Sequence, residues 1–202
     1  MTPETDGRPA AGAPPIPLPT DNELPEQVRD ALANLPALNI FRMLGRLPES
    51  FRPFLQLGGS LLGDPNIDPR IREIAILRVA RATGAGYEWA QHEQLGRSVG
   101  VTDADIEAVR SDDPAASLDA EAALVCRVAD EISHDVRLSD DALALLLERY
   151  EIAQACSIIL CVSYYNMVSR FLESTRVELE PESPIAGRTP DEFAQGRRRT
   201  KK

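Results

Sequence analysis

The stretch "DPRIREIAILRVARATG", residues 68–84, decides the fold class. Asp68 is a helix cap, Pro69 suits the first helical position, and Gly84 suits the residue past the end. Between them Ile71, Ile74, Ala75, Leu77 and Val79 recur at helical spacing, which predicts an amphipathic helix. The same period continues on both sides. Upstream, "DNELPEQVRDALANLP" places Leu24, Val28, Leu32 and Leu35 three and four residues apart. "ALNIFRMLGRL" follows, then "PESFRPFLQLGGSLLGD", in which the Gly58–Gly59 pair obscures the helix end. Downstream, "YEWAQHEQLGRSVG" stops at Gly100 and "VTDADIEAVRS" opens with a Thr102 to Asp105 cap. "SLDAEAALVCRVADEISHD" begins at Ser117 and "LSDDALALLLERY" at Ser139. Residues 151–174 form a long and largely apolar helix, central to the monomer or packed on another subunit. No stretch alternates with period two for long enough to predict a strand, so the expectation is an all-α fold of about eight helices.

Length predicts one helical domain, residues 21–176, between two segments of different composition. Residues 1–20 are rich in proline and alanine and hold too little apolar mass to order themselves, which predicts a flexible or extended arm. Residues 177–202 return to proline and charge and are expected to be a peripheral or disordered tail.

The net charge is −10 and the isoelectric point about 4.8. A surface of that sign repels a phosphate backbone, so no nucleic-acid partner is expected despite the basic end "RRRTKK". No run of about eighteen consecutive apolar residues occurs. The first residues also lack the order of a secretory signal. Together these predict a cytoplasmic protein without a membrane partner. Cys126, Cys156 and Cys161 fit no disulfide or zinc spacing and read as small apolar side chains in a reducing compartment.

The chemistry-bearing residues concentrate in "YEWAQH", residues 87–92, which holds the single tryptophan and one of two histidines. Glu88 and His92 lie four apart on one helical face. A carboxylate beside an imidazole, against an apolar wall, tunes both groups for proton transfer near neutral pH. Trp89 can wall the same pocket. Glu73, on the preceding helix, can return across the Gly84 turn to orient the His92 ring. The plainer reading is a surface ion pair worth a few tenths of a kcal/mol, with Trp89 as a core anchor. His134 ends a helix, where a histidine meets the dipole favourably. "GAG" at 84–86 follows a helix and lacks the third glycine of a dinucleotide loop. Two distant histidines give no metal site, and none is expected. In "SYYN", Tyr164, Tyr165 and Asn166 interrupt an apolar helix with polar tips, for a pocket or for an interface.

Residues 72–109, "REIAILRVARATGAGYEWAQHEQLGRSVGVTDADIEAV", resemble the carboxymuconolactone decarboxylase family, within the superfamily that includes alkylhydroperoxidase D-like proteins. "RE-x-x-ILRVA", "YEW-x-x-H" and "T-D-x-x-I" carry the likeness, which extends over approximately Leu24 to Arg176. It implies an alkylhydroperoxidase D-like helical domain assembled as a homo-trimer or homo-hexamer, working without a cofactor. Relatives with a redox dithiol carry Cys-x-x-Cys before the histidine. Those positions are Ala85 and Glu88 here, whereas the relay glutamate falls on Glu73. A peroxidase route needs a thiolate and a resolving thiol, so the likeness points instead to the decarboxylase branch, a carboxy-lyase-like enzyme whose acid/base chemistry is decarboxylation or isomerisation of a small carboxylated lactone or related acid. In that reading His92 is the acid/base, Glu73 orients it and Glu88 is a second proton carrier or an ion-pair member. Trp89, Tyr87, Tyr164 and Asn166 shape the substrate pocket, and Arg72 or Arg78 holds the carboxylate. A non-catalytic oligomeric binding protein, in which His92 and Glu73 only lock two helices together, is the reading from another class. Under it, His92 is buried and bonded on both nitrogens.

Overall fold

The computed structural model describes residues 14–185, 187, 189 and 190, and the described residues form an all-helical fold without strands. The helices are α1 (Glu26–Leu32), α2 (Asn39–Leu44), α3 (Pro48–Leu62), α4 (Pro69–Thr83), α5 (Gly86–Ser98), α6 (Asp103–Arg110), α7 (Ala120–Asp135), α8 (Asp140–Arg149) and α9 (Ile152–Thr175). Their ends follow the expected capping chemistry. The Asp68 side chain accepts from the backbone N–H groups of Arg70 and Ile71, and Gly84 closes α4 at φ 70°, where a side chain would be strained. Thr102 and Asp105 form the capping box of α6, and Ser139 caps α8. For α7 the cap is Asp119, not Ser117, because the Asp119 carboxylate reaches the Ala122 N–H. Gly58 and Gly59 lie inside α3, which continues to Leu62.

α4 is the centre of the molecule. It packs against α5, α6, α7 and α9, and residues 71–80 are buried without interruption. A helix covered on every side buries its charged residues along with its apolar ones, so Arg72, Glu73 and Arg78 must find partners inside the protein. That requirement builds the site. α9 lies against α4, α7 and α3, burying Ala155, Ile158, Cys161, Val162, Tyr165, Val168 and Leu172. By length and composition α9 could cross a membrane, but half of its most apolar window is buried in this fold. Its opposite face leaves Ile152, Leu160 and Met167 exposed.

The flanking segments hold to the body where they are described. Arg46 and Arg42 donate to the carbonyls of Pro17 and Pro19, and the Ile16 N–H bonds the Thr175 carbonyl. The arm expected over 1–20 is therefore pinned at its end by α2 and α9; residues 1–13 lie outside the described residues. After α9, Arg176 turns the chain back through the left-handed region at φ 56°. Residues 177–185 return to the body, burying Ile185 and placing Glu180 over α5. An apolar anchor and a carboxylate with three donors hold this part of the expected tail to the body. Residues 191–202 of the expected tail lie outside the described residues.

Candidate functional site

The Gly84 turn folds α5 antiparallel to α4, which brings Glu73 against His92. His92 Nδ1 lies 2.7 Å from Glu73 Oε2, and Nε2 lies 3.4 Å from Glu88 Oε2. The order is Glu73, His92, Glu88. A carboxylate only accepts, so Glu73 holds the proton of His92 on Nδ1 and leaves Nε2 to exchange with Glu88. All three side chains are buried. Glu88 and His92 line a cavity of about 100 Å³, whereas Glu73 does not reach it. That volume holds several waters or one small molecule.

The rest of the cavity wall is apolar and aromatic: Leu38, Ile40, Phe41 and Phe54 on one side, Leu95, Tyr164, Tyr165 and Val168 on the other. The Tyr165 ring meets His92 edge-on, centroids 4.8 Å apart, and Tyr164 meets Tyr165 the same way at 5.4 Å. This environment sets the titration of His92 and Glu88. Burial alone makes imidazolium less favourable. The charge and hydrogen bond of Glu73, aided by Glu88, outweigh burial and the opposing Arg72 charge, and the His92 pKa is raised. Burial raises the Glu88 carboxyl as well; Glu73 adds to the rise and His92 opposes it. A buried imidazole and a buried carboxyl that both retain protons can pass one between them at mild pH.

Several predicted pocket residues lie elsewhere. Trp89 points away from the cavity, its indole N–H donating to Glu93 and its ring covered by Arg110, 4.2 Å from the centroid. One helical step of about a hundred degrees takes it to the far side of α5. Arg78 forms a two-pronged pair with Asp130 and donates to the carbonyls of Val109 and Ser111, tying α4 to α6 and α7. Arg72 is buried behind the relay, 4.0 Å from Glu73 Oε1, with Nη1 donating to the Asp64 carbonyl. Neither arginine faces the cavity, so neither is placed to clamp a substrate carboxylate. Asn166 bonds Ser133 and the Val162 carbonyl on the other side of α9. Tyr87 and Tyr164 do line the cavity: Tyr87 donates to Glu180, and Tyr164 donates to the Phe54 carbonyl.

Tyr165, named within "SYYN", is the aromatic partner of His92. Two contributors were not singled out in the sequence, Gln91 and Glu180. Gln91 lines the cavity beside His92, with its amide nitrogen bonded to Glu180 at 2.8 Å. Glu180 also accepts from Tyr87 at 2.6 Å and from the Asn39 N–H. No local pattern announces a carboxylate ninety residues downstream of its partners.

His92 is both buried between two carboxylates, as the structural reading expects, and part of a cavity wall, as the catalytic one expects. Cys126 and Cys161 are buried away from that wall, and burial pushes each thiol up to about 12; Cys156 is exposed on α9. No group of three or more potential metal ligands occurs among the described residues.

The sequence model of the Carboxymuconolactone decarboxylase family matches residues 48–131, a segment that contains Glu73, Glu88 and His92. Over this segment the chain is similar to that family. Two solved structures share the fold. One is described as an alkylhydroperoxidase AhpD core, an uncharacterized peroxidase-related protein from Ralstonia eutropha JMP134, with TM-score 0.72 and 19% identity over 88% of this chain and 100% of that one. The other is an uncharacterized peroxidase-related protein from Silicibacter sp. TM1040, with TM-score 0.72 and 15% identity over 86% of this chain and 93% of that one. At such identities the likeness is one of fold. No curated protein matches the chain.

Proposed function

We propose that this protein belongs to the carboxymuconolactone decarboxylase family and is an acid/base enzyme that moves a proton on a small, lactone-like carbonyl compound. The observation that carries the reading is the linear order Glu73, His92, Glu88, buried at one end and open to an apolar cavity at the other. Glu88 is the group that meets substrate. In its ionised form it removes a proton from carbon next to a carbonyl; His92 Nε2 shares that proton, and the Glu73 carboxylate stabilises the imidazolium. Returning the proton one or two carbons away shifts a double bond, which is an isomerisation.

Decarboxylation uses the same proton delivery, but it also requires the leaving carboxylate to be held. With neither Arg72 nor Arg78 among the residues that line the cavity, isomerisation is the reading we favour. A thiol peroxidase reading has less support, since the relay ends at Glu88 and burial disfavours the thiolates of Cys126 and Cys161.

The test is incubation with α-angelica lactone in deuterated buffer, following ring deuteration by NMR and conjugation by ultraviolet absorbance. Carboxymuconolactone is run in parallel for carbon dioxide release. Exchange or isomerisation by the native protein that falls at least a hundredfold in Glu88→Gln supports the proposal. Carbon dioxide release without exchange of the neutral lactone restores decarboxylation. Activity unchanged in Glu88→Gln overturns the assignment of the relay.

A further inference from the structure

Arg72, Glu73, His92 and Glu88 stand in a row inside the protein. Arg72 Nε lies 4.0 Å from Glu73 Oε1, His92 Nδ1 lies 2.7 Å from Glu73 Oε2, and His92 Nε2 lies 3.4 Å from Glu88 Oε2. Each of these residues is 5% exposed or less. Arg72 is the member that packing does not explain. Ile67, Ile71, Val125 and Ile158 close round it. Among the described residues its hydrogen bonding is confined to Nη1, which donates to the Asp64 carbonyl at 3.3 Å, while Nε and Nη2 have no partner. A buried arginine bonded so sparsely destabilises a core. What it supplies to its surroundings is charge.

That charge can be counted along the row. A guanidinium does not release its proton, so Arg72 contributes a fixed positive charge. Glu73, between it and the imidazole, contributes the opposing negative one. The remaining pair, His92 and Glu88, is neutral when it binds one proton, whether that proton sits on the imidazole or on the carboxyl. An enclosed site resists net charge, so one proton is the favoured load.

The neighbours leave this count unaltered. Tyr87 on α5 and Cys161, Tyr164 and Tyr165 on α9 face the row, and burial raises the pKa of each, so they stay neutral. The Asp64 carboxylate, ahead of α4, feels Arg72 but is half-buried and bonded to Asn66, and solvent screens it. The other buried arginine of α4, Arg78, is balanced by Asp130 of α7.

We infer that Arg72 is a positioning residue of the relay, whose permanent charge cancels that of Glu73 and holds the His92 and Glu88 pair to a single proton. With one proton on the pair, Glu88 stands as a carboxylate beside the imidazolium and can accept a second proton from substrate. Without Arg72 the pair fills with two, and no base is left facing the cavity. The inference rests on the acid/base reading for what the free carboxylate does, but the proton count is a resting property, measured without substrate.

The experiment counts protons on the full chain at about pH 6.5. Imidazole NMR signals report His92, and carboxyl carbon signals, assigned through Glu88→Gln, report Glu88. The native pair is expected to hold one proton. Arg72→Met should hold two, with the His92 and Glu88 titrations moved up by about one pH unit or more. Arg72→Lys, which keeps the charge, should retain the native count. Arg72→Met/Glu73→Gln, which removes one charge of each sign, should return the count to one, a recovery that lost packing alone cannot produce. If Arg72→Met does not fold, the comparison moves to the Glu73→Gln background, where adding Arg72→Met should raise the count from none to one. A count that Arg72→Met leaves unchanged in either background, or a double variant that holds two protons, overturns the inference. The expected counts, together with exchange activity that Glu88→Gln leaves unaltered, would uphold the inference and fail the acid/base reading instead.

Discussion

Glu73 Oε2 stands 2.7 Å from His92 Nδ1, a bond between two helices at residues nineteen apart in sequence, with both side chains almost fully enclosed. The pair is the hinge of the site because it decides which ring nitrogen is free. In Glu73→Gln the charge that raises the His92 pKa is gone while burial remains, so the imidazole should titrate at lower pH. The chain has two histidines, which makes the measurement direct: imidazole signals followed by NMR against pH, with His134 assigned through His134→Asn. An unmoved His92 titration in Glu73→Gln would show that the bond does not control the ring.

Stability should fall as pH rises across the weakly acidic to neutral range. Glu88 has a folded pKa above its ordinary 4.5, and His92 one above its ordinary 6.5. In each case the folded chain binds the proton more tightly than the unfolded chain. Each contribution is therefore complete below the ordinary value and is lost as pH rises through the raised one. Urea titrations at a series of pH values should show this slope, and Glu88→Gln should flatten its lower part. A native protein whose stability rises between pH 5 and pH 7 would contradict the assignment, unless other groups are shown to supply the difference.

Arg78 is a structural residue. It closes two bonds with Asp130 and caps two carbonyls at the end of α6. Arg78→Met should cost on the order of 3 kcal/mol, because Asp130 and the carbonyls lose their partner in a largely enclosed place. Lactone binding by the fraction that remains folded should be unchanged. A variant of native stability with weakened binding would return Arg78 to the substrate.

Gly58 lets Tyr164 reach the α3 backbone. A Cβ there would fall 2.5 Å from the Tyr164 hydroxyl oxygen, which now donates to the Phe54 carbonyl at 3.2 Å. Gly58→Ala gains helix propensity of about 1 kcal/mol, but it must displace a buried ring at about 1–3 kcal/mol. The expected outcome is a lower melting temperature together with altered ligand affinity, since Tyr164 lines the cavity. In Gly58→Ala/Tyr164→Phe the penalty should largely vanish.

Much of the fold was legible residue by residue. Helix ends at Asp68, Gly84, Thr102 and Ser139 are set by side chains bonding their own backbone, an interaction of a few residues' range. The Glu88 and His92 pairing is likewise local, and Glu73 could be added because a short turn at Gly84 leaves α5 little choice but to run back along α4. Ser117 was a poorer choice than Asp119 for the α7 cap because both precede the same apolar run at similar distance.

Sequence by itself determined most of the helices and the grouping of Glu73, His92 and Glu88, since each depends on spacings of three, four or one short turn. Tertiary structure alone decided which side chains meet the cavity. α4 is covered on all sides, so Arg72 was buried away from the cavity and Arg78 was paired with Asp130. One residue step round α5 turned Trp89 towards Arg110, and a similar step along α9 chose Tyr165 over Asn166. Glu180 came from beyond the last helix to orient Gln91. The physical reason is common to all of these: periodicity fixes the face on which a side chain lies, whereas the identity of what packs against that face is set by contacts distant in the chain.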